Sequence, residues 1–231
     1  MTVKRNISII VFPGSNCDRD LKIAIEKCMG IKPDLVWHKT SHIKKTDMIF
    51  LPGGFSFGDY LRAGTIATKS PAIKEVLRLS KKKIPIVGIC NGFQILTECK
   101  LLDGALTKNK EELFKCERIS LKLINTNNIF TKKLKLNSIL NFPIAHSQGN
   151  YYIGENDLKK LEDNEQIVLK YSSLTGEINE NSNPNGSVAN IAGIMNREKN
   201  ILGLMPHPER AIEKDYYDDG VSFFKSIQEI M

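Results

Sequence analysis

The chain has 231 residues, 41% hydrophobic and 26% charged, enough apolar material for a real core and too much for a disordered chain. No apolar run reaches the ~18 residues needed to cross a bilayer, so no membrane span is expected. The net charge of +7 comes largely from scattered lysines such as Lys81-Lys82-Lys83 and Lys132-Lys133. Without an arginine–aromatic stripe, that pattern argues against nucleic-acid binding and reads as a solvated face or one for an acidic partner.

Lys4 and Arg5 precede an apolar stretch at 7–12, which faintly imitates a signal peptide. Pro13-Gly14 cuts that stretch and no small-residue cleavage site follows, so it reads as a buried first strand of a cytoplasmic protein. Next, Leu21, Ile25 and Cys28 recur at helical spacing and predict a helix over Asp18–Met29. Ser15 and Asp18 form its expected capping pair. Strands are expected at 35–38 and 48–51, a helix over 71–82, a strongly apolar strand at 84–89 and a helix over 91–101. Strand–helix alternation with continuous apolar strands points to a parallel sheet covered on both faces.

The second half is less regular. Short strands are expected at 119–124, 142–145, 151–153, 167–171, 189–195 and 201–204. Pro184-Asn185-Gly186 signals a turn, and a last helix is expected over 220–230. No internal repeat or linker-like composition break interrupts the chain, so 1–231 reads as one domain with a β-rich elaboration.

The five cysteines are Cys17, Cys28, Cys90, Cys99 and Cys116. Their odd number and the absence of any Cys-x-x-Cys pair argue against disulfides or a zinc ribbon and fit a reducing compartment. Cys90 lies in Gly88-Ile89-Cys90-Asn91-Gly92, where a buried strand runs straight into a helix. A nucleophile on such a tight turn needs small neighbours on both sides. The helix N-terminus favours a thiolate, and the Asn91 N–H faces the position of an oxyanion. A plain buried cysteine in a Gly-flanked turn is the competing reading.

Met205-Pro206-His207-Pro208-Glu209 supplies a base and an orienter. Each proline biases the preceding residue to extended backbone, and an extended segment would place His207 and Glu209 on one side. Pro52-Gly53-Gly54 follows a strand directly and is a candidate second oxyanion donor. All three motifs fall at the C-terminal ends of strands, where open α/β sheets collect ligands. Cys17 also follows a strand, but it lacks flanking glycines and Asp18 would oppose its thiolate, so a structural or interface role is expected. His38 and His42 sit four apart on what reads as a loop, with no third ligand near in sequence, and no metal site is expected. Asp59 and Arg62 are read as a salt-bridged loop or as part of a partner interface.

Pro-Gly-Gly, Gly-x-Cys-x-Gly-x-Gln and His-Pro-Glu, in this order, resemble the signatures of the class I glutamine amidotransferases. The longer segments 12–18, 53–64, 183–187 and 203–210 resemble, within that class, the glutaminase subunits of phosphoribosylformylglycinamidine synthase. The resemblance runs from about Ile7 to Arg210. It implies an α/β, flavodoxin-like three-layer sandwich with a mostly parallel central sheet. It also implies Cys90 as nucleophile, His207 as proton shuttle and Glu209 as its orienter, with Gly53, Gly54, Asn91 and Gln94 around the substrate glutamine. The implied partners are an ATP-dependent synthetase subunit and a small accessory subunit. No Gly-x-x-x-x-Gly-Lys-[Ser/Thr] run is present, so ATP and Mg²⁺ would belong to the partner and no cofactor to this chain. One departure is Ala145-His146-Ser147-Gln148-Gly149, where the family commonly has Ala-His-Gly-Glu-Gly. Gln148 loses a charge there but keeps a hydrogen-bonding side chain. Two other readings stay open from the residues alone: a cysteine hydrolase resembling the DJ-1 family, and a binding module on the same fold.

Overall fold

The computed structural model describes residues 5–213 and 218–228. A nine-stranded sheet organises them. Its first half is built from β1 (Ile7–Val11), β2 (Asp34–Trp37), β3 (Met48–Leu51) and β4 (Ile86–Ile89), with β11 (Ile201–Leu204) as the fifth parallel member. The spatial order is β2-β1-β3-β4-β11, and each neighbouring pair is parallel. That is the doubly wound order of flavodoxin-like sheets. β1, β3, β4 and β11 are almost wholly buried, as the continuous apolar runs require of strands covered on both faces.

The sheet continues through β10 (Ile191–Met195), β9 (Ile167–Ser172), β6 (Lys115–Leu123) and β7 (Ile139–His146), all antiparallel to their neighbours. β7 alternates strictly between buried and half-buried positions, the mark of a strand with one face on the core. β5 (Ala105–Thr107) and β8 (Asn150–Tyr152) form a separate antiparallel pair. This is the β-rich elaboration, and it joins the parallel half through β11 and β10.

Helices α1 (Asp18–Met29) and α2 (Pro71–Ser80) join parallel strands in opposite directions along the sheet. Right-handed crossovers therefore place them on opposite faces. α3 (Asn91–Glu98) follows β4, α4 (Glu155–Asp163) lies between β8 and β9, and α5 (Asp219–Gln228) packs against α1. α1 matches its predicted span and ends at Gly30, a left-handed cap at φ 65°. The expected capping pair is not formed. Cys17 is the N-cap and makes no side-chain cap bond, while Ser15 Oγ instead accepts the Phe12 N–H at 3.2 Å. α2 and α3 each stop short of their predicted ends. Their last predicted residues form turns that close on the helix ends, through bonds such as Lys82 N–H to Leu79 O at 2.9 Å and Leu101 N–H to Leu96 O at 3.0 Å. β5 and α4 were not expected at all: β5 has only three residues, and α4 buries only Leu161. The last helix begins one residue earlier than expected, and 229–230 lie outside the described residues.

Gly92 shows why the first turn of α3 tolerates no side chain. A Cβ there would run into the backbone carbonyl of Leu51 at the end of β3. α3 is thereby pressed onto β3 and β4, with Phe93 fully buried and stacked on Tyr151 at 5.9 Å. Gly92→Ala is therefore expected to destabilise the fold by about 1–3 kcal/mol. A urea melt with a lower midpoint and unchanged slope is the expected result.

Candidate active site

The parallel pairing of β4 with β11 sets Leu204 opposite Ile89, so both strands end at the same edge. Cys90 leaves β4 there and His207 leaves β11 three residues later. Cys90 has φ 51° and ψ −107°, a strained conformation for an L-residue that costs about 1–3 kcal/mol. Neighbouring bonds hold it: its N–H donates to Leu204 O at 2.8 Å, and its carbonyl accepts from Phe93 N–H at 2.9 Å and Gln94 N–H at 3.1 Å. The elbow expected from the Gly-flanked cysteine is present. Cys90 is the residue before α3, where the Asn91 and Gly92 N–H groups have no partner inside the helix. The thiol lies 3.8 Å from Ala145 O.

His207 Nδ1 and Glu209 Oε1 are 2.6 Å apart, and both side chains are buried. An ionised carboxylate only accepts, so Nδ1 carries the proton. The backbone that makes this contact is not the extended segment anticipated. His207 is extended enough at φ −104°, ψ 88°, but Pro208–Arg210 forms a single 3-10 turn with Pro208 at its start. Proline restricts the residue before it yet suits the first position of a helical turn itself. The turn folds Glu209 back under the imidazole. The His207 N–H donates to Pro143 O at 2.8 Å, fixing the turn against β7. Burial alone would push the His207 imidazole down, but the Glu209 carboxylate and the thiols of Cys90 and Cys17 hold it well above its ordinary value. Imidazolium is the form this pocket stabilises.

Gly53 is where the parts converge. A Cβ built there would lie 2.7 Å from His207 Cε1, 3.2 Å from Cys17 Sγ and 3.3 Å from Cys90 Cβ. Gly54 follows beside the turn after β1, where Phe55 N–H donates to Gly14 O at 2.9 Å. The Asn91 side chain accepts from Ser56 N–H at 3.1 Å and donates to Asp59 Oδ1 at 3.1 Å and Gln94 Oε1 at 2.8 Å. Gln94 Nε2 in turn donates to Gln148 O at 2.6 Å. Both ends of the Gln94 amide are thus engaged by the protein. Gln148 reaches back toward the Ala63 N–H, 3.5 Å away. The position where the family commonly has Glu therefore faces the 56–63 loop.

Four neighbours escaped the sequence reading. Cys17, expected to have a structural or interface role, is buried within the site, and its Sγ accepts from Arg210 Nη2 at 3.2 Å. Arg210 is held from the other side by Asp20 at 2.9 Å. The signal was present in the shared position of Cys17 and Gly53 at the C-terminal ends of adjacent strands. Asp59 does not pair with Arg62. It bonds Asn91, while Arg62 pairs with Glu98 at 2.7 Å. His146 is buried with Nδ1 3.1 Å from Asn109 Oδ1, and burial followed by the His207 charge pushes it down to about 4. It is neutral at ordinary pH.

A strained cysteine elbow, a buried His–Glu pair and a glycine hole between them, at the strand ends of a flavodoxin-like sheet, are the architecture of a class I glutamine amidotransferase. Residues 4–219 match the family model of the CobB/CobQ-like glutamine amidotransferase domain. The phosphoribosylformylglycinamidine synthase subunit PurQ of Pelagibacter ubique is 48% identical, covering 95% of this chain and 96% of its own. That of Chlorobium luteolum is 47% identical, covering 96% of each. The solved structure of PurLQS from Thermotoga maritima has a chain with TM-score 0.86 and 37% identity, covering 98% of this chain and 99% of that one. The chain belongs to the PurQ family of glutamine amidotransferase subunits. Among the described residues no helix is long and apolar enough to cross a membrane.

Asp59 gives the site a measurable pH signature. Burial raises its carboxyl to about 6, against a smaller lowering by the Asn91 bond. The folded chain therefore keeps a proton that the unfolded chain releases between 3.8 and about 6. Stability from this group is full below 3.8 and falls as pH rises through about 6. In Asp59→Asn that slope is expected to vanish, read as a smaller change of denaturant midpoint between the two ends of the window.

Proposed function

We propose that this chain takes ammonia from the side-chain amide of glutamine for a synthetase subunit. That subunit converts formylglycinamide ribonucleotide to formylglycinamidine ribonucleotide with ATP, in de novo purine biosynthesis. The observation that carries the reading is Cys90 on its strained elbow beside an imidazole bonded at 2.6 Å to a buried carboxylate. The family membership and the relatives named above support the particular reaction.

In this reading the Cys90 thiolate attacks the glutamine carboxamide carbon. A C–S bond forms and the carbonyl electrons move to oxygen. Backbone N–H groups at Asn91 and near Gly54 stabilise that oxyanion. His207, as imidazolium, gives its proton to the amide nitrogen, the C–N bond breaks, and ammonia leaves a γ-glutamyl thioester. Neutral His207 then takes a proton from water, which attacks the thioester and releases glutamate and the Cys90 thiolate. Glu209 holds the imidazole orientation and its charge throughout. Gly53 leaves room for the carboxamide between thiol and imidazole. Gln94 acts through the segment it anchors, holding the Gln148 carbonyl beside the pocket. ATP and Mg²⁺ are assigned to the synthetase partner, with a small accessory subunit completing the assembly. The solved PurLQS relative supports that arrangement. The unbroken nine-stranded sheet supports reading 1–231 as one amidotransferase domain, and free cysteines suit a reducing, cytoplasmic setting.

Cys90→Ala is expected to abolish glutamine-dependent amidine formation by the assembled complex, by roughly 10³-fold or more. Synthesis from added ammonium salts should be kept. Retained glutamine-dependent turnover would sink the mechanism. Glu209→Gln should keep the fold and lower kcat by about 10²–10⁴-fold. The thiol and imidazole are 4% and 1% exposed, so the isolated chain is expected to turn over glutamine weakly. Addition of the synthetase should raise kcat, and equal rates with and without it would refute this.

A further inference from the structure

Asn91 opens α3 and is fully buried. A side-chain amide offers one oxygen acceptor and two N–H donors, and in Asn91 all of them are engaged. Its Oδ1 accepts from Ser56 N–H at 3.1 Å. Its Nδ2 donates to Asp59 Oδ1 at 3.1 Å and to Gln94 Oε1 at 2.8 Å. Gln94 carries the series on, donating from Nε2 to Gln148 O at 2.6 Å. The two ends of this chain of bonds are backbone groups with fixed polarity, an N–H at Ser56 and a carbonyl at Gln148. Only one orientation of both amides satisfies them. A reversed Gln94 would set its oxygen against the Gln148 carbonyl, and a reversed Asn91 would set its N–H against that of Ser56. Asp59 enforces the same orientation, because above about 6 it is a carboxylate and only accepts.

The chain of bonds joins three walls of the pocket. Ser56 and Asp59 belong to a loop in which Phe57, Asp59 and Leu61 hold positive φ, and such backbone persists only where its surroundings fix it. Asn91 and Gln94 belong to the first turn of α3, directly after the thiol. Gln148 belongs to the segment after β7, and the Ala145 carbonyl near the end of that strand lies 3.8 Å from Cys90 Sγ.

We propose that Asp59 and the Asn91 side chain are positioning residues for the glutaminase reaction, which lock the Gln94 amide and through it hold the Gln148 segment where glutamine seats against Cys90. The inference rests on the glutaminase reading above. The Asn91 side chain is spent on protein partners and acts separately from the backbone N–H of the same residue. Loss of Asp59 would leave one proton of the buried Asn91 amide without an acceptor, a cost that favours rearrangement of the whole chain of bonds. The thiol, the imidazole and Glu209 lie outside that chain. Breaking it therefore disturbs the placement of substrate more than the chemistry, and KM for glutamine carries the loss.

The test is steady-state kinetics of the assembled complex, with glutamine and with ammonium salts as nitrogen donor. Asp59→Ala is expected to raise KM for glutamine at least about tenfold with kcat within about threefold, and to leave ammonium-supported synthesis unchanged. Asp59→Asn, whose side-chain oxygen still accepts from Asn91, should bring KM back near the wild-type value. Gln94→Met keeps the length of that side chain and removes both of its hydrogen-bonding ends. Its effect on KM and that of Asp59→Ala should not add in the double variant, because each breaks the same chain of bonds. Asn91→Asp, which keeps the shape and has no donor, should also raise KM, and is read in case Asp59→Ala does not fold. In NMR of the full chain, the side-chain NH2 signals of Asn91 and Gln94 should be protected from solvent exchange and lose protection in Asp59→Ala. A folded Asp59→Ala with wild-type KM, additive effects with Gln94→Met, or unprotected amides in the wild type would overturn the proposal. So would an Asp59→Asn as impaired as Asp59→Ala. A wild-type complex that uses ammonium salts but not glutamine would count against the function instead, and the amide protection would still decide whether the lock exists.

Discussion

β4 and β11 pair in parallel, with Ile201 opposite Ile86 and Leu204 opposite Ile89. Two segments more than a hundred residues apart in the chain therefore leave the sheet at one edge, in step. The pairing extends one bond further, from Cys90 N–H to Leu204 O at 2.8 Å. That bond pins a backbone conformation that would otherwise relax. It also holds the cysteine near the turn that carries His207. A one-residue slip in this register would reverse the facing of every side chain on β11 and carry His207 away from the thiol.

Around that constraint the site is assembled from close approaches. α3 can press onto β3 because Gly92 has no side chain to hold it off Leu51. His207, Cys17 and Cys90 can share one small volume because Gly53 leaves it empty. The polar groups then form a connected line. Ser56 and Asp59 reach Asn91, Asn91 reaches Gln94, and Gln94 reaches the Gln148 carbonyl. A loop with Phe57, Gly58, Asp59 and Leu61 at positive φ is thereby tied to the residue following Cys90. The loop and the first residue of α3 are held together by these bonds.

Electrostatics divides the two buried histidines. His146 faces an amide and the charge of its neighbour, and stays neutral. His207 faces a carboxylate and two thiols, and holds its proton despite complete burial. Desolvation acts on both in the same direction. Only the partners differ, and the partners decide which ring can supply a proton.

Much of this was legible in the amino-acid order. α1 follows apolar periodicity and β3 and β11 are short continuous apolar runs, and their spans were readable from that local pattern. The strained elbow was readable because its glycines answer a local steric need at Cys90. His207 and Glu209 were readable as a pair, though not through the 3-10 turn that joins them, because Pro208 carries two opposing local preferences. α4, with Leu161 its only buried side chain, and the three-residue β5 gave too little pattern to detect. What the sequence determined is local: which segments are strands, where the backbone must be unobstructed, and which side chains have the chemistry. Only the tertiary structure decided that Cys17 shares the imidazole with Cys90 and that Asp59 supports Asn91 rather than Arg62. Those contacts depend on which strands become neighbours and in what register, and that is settled by burial of the whole sheet, not by any stretch of it.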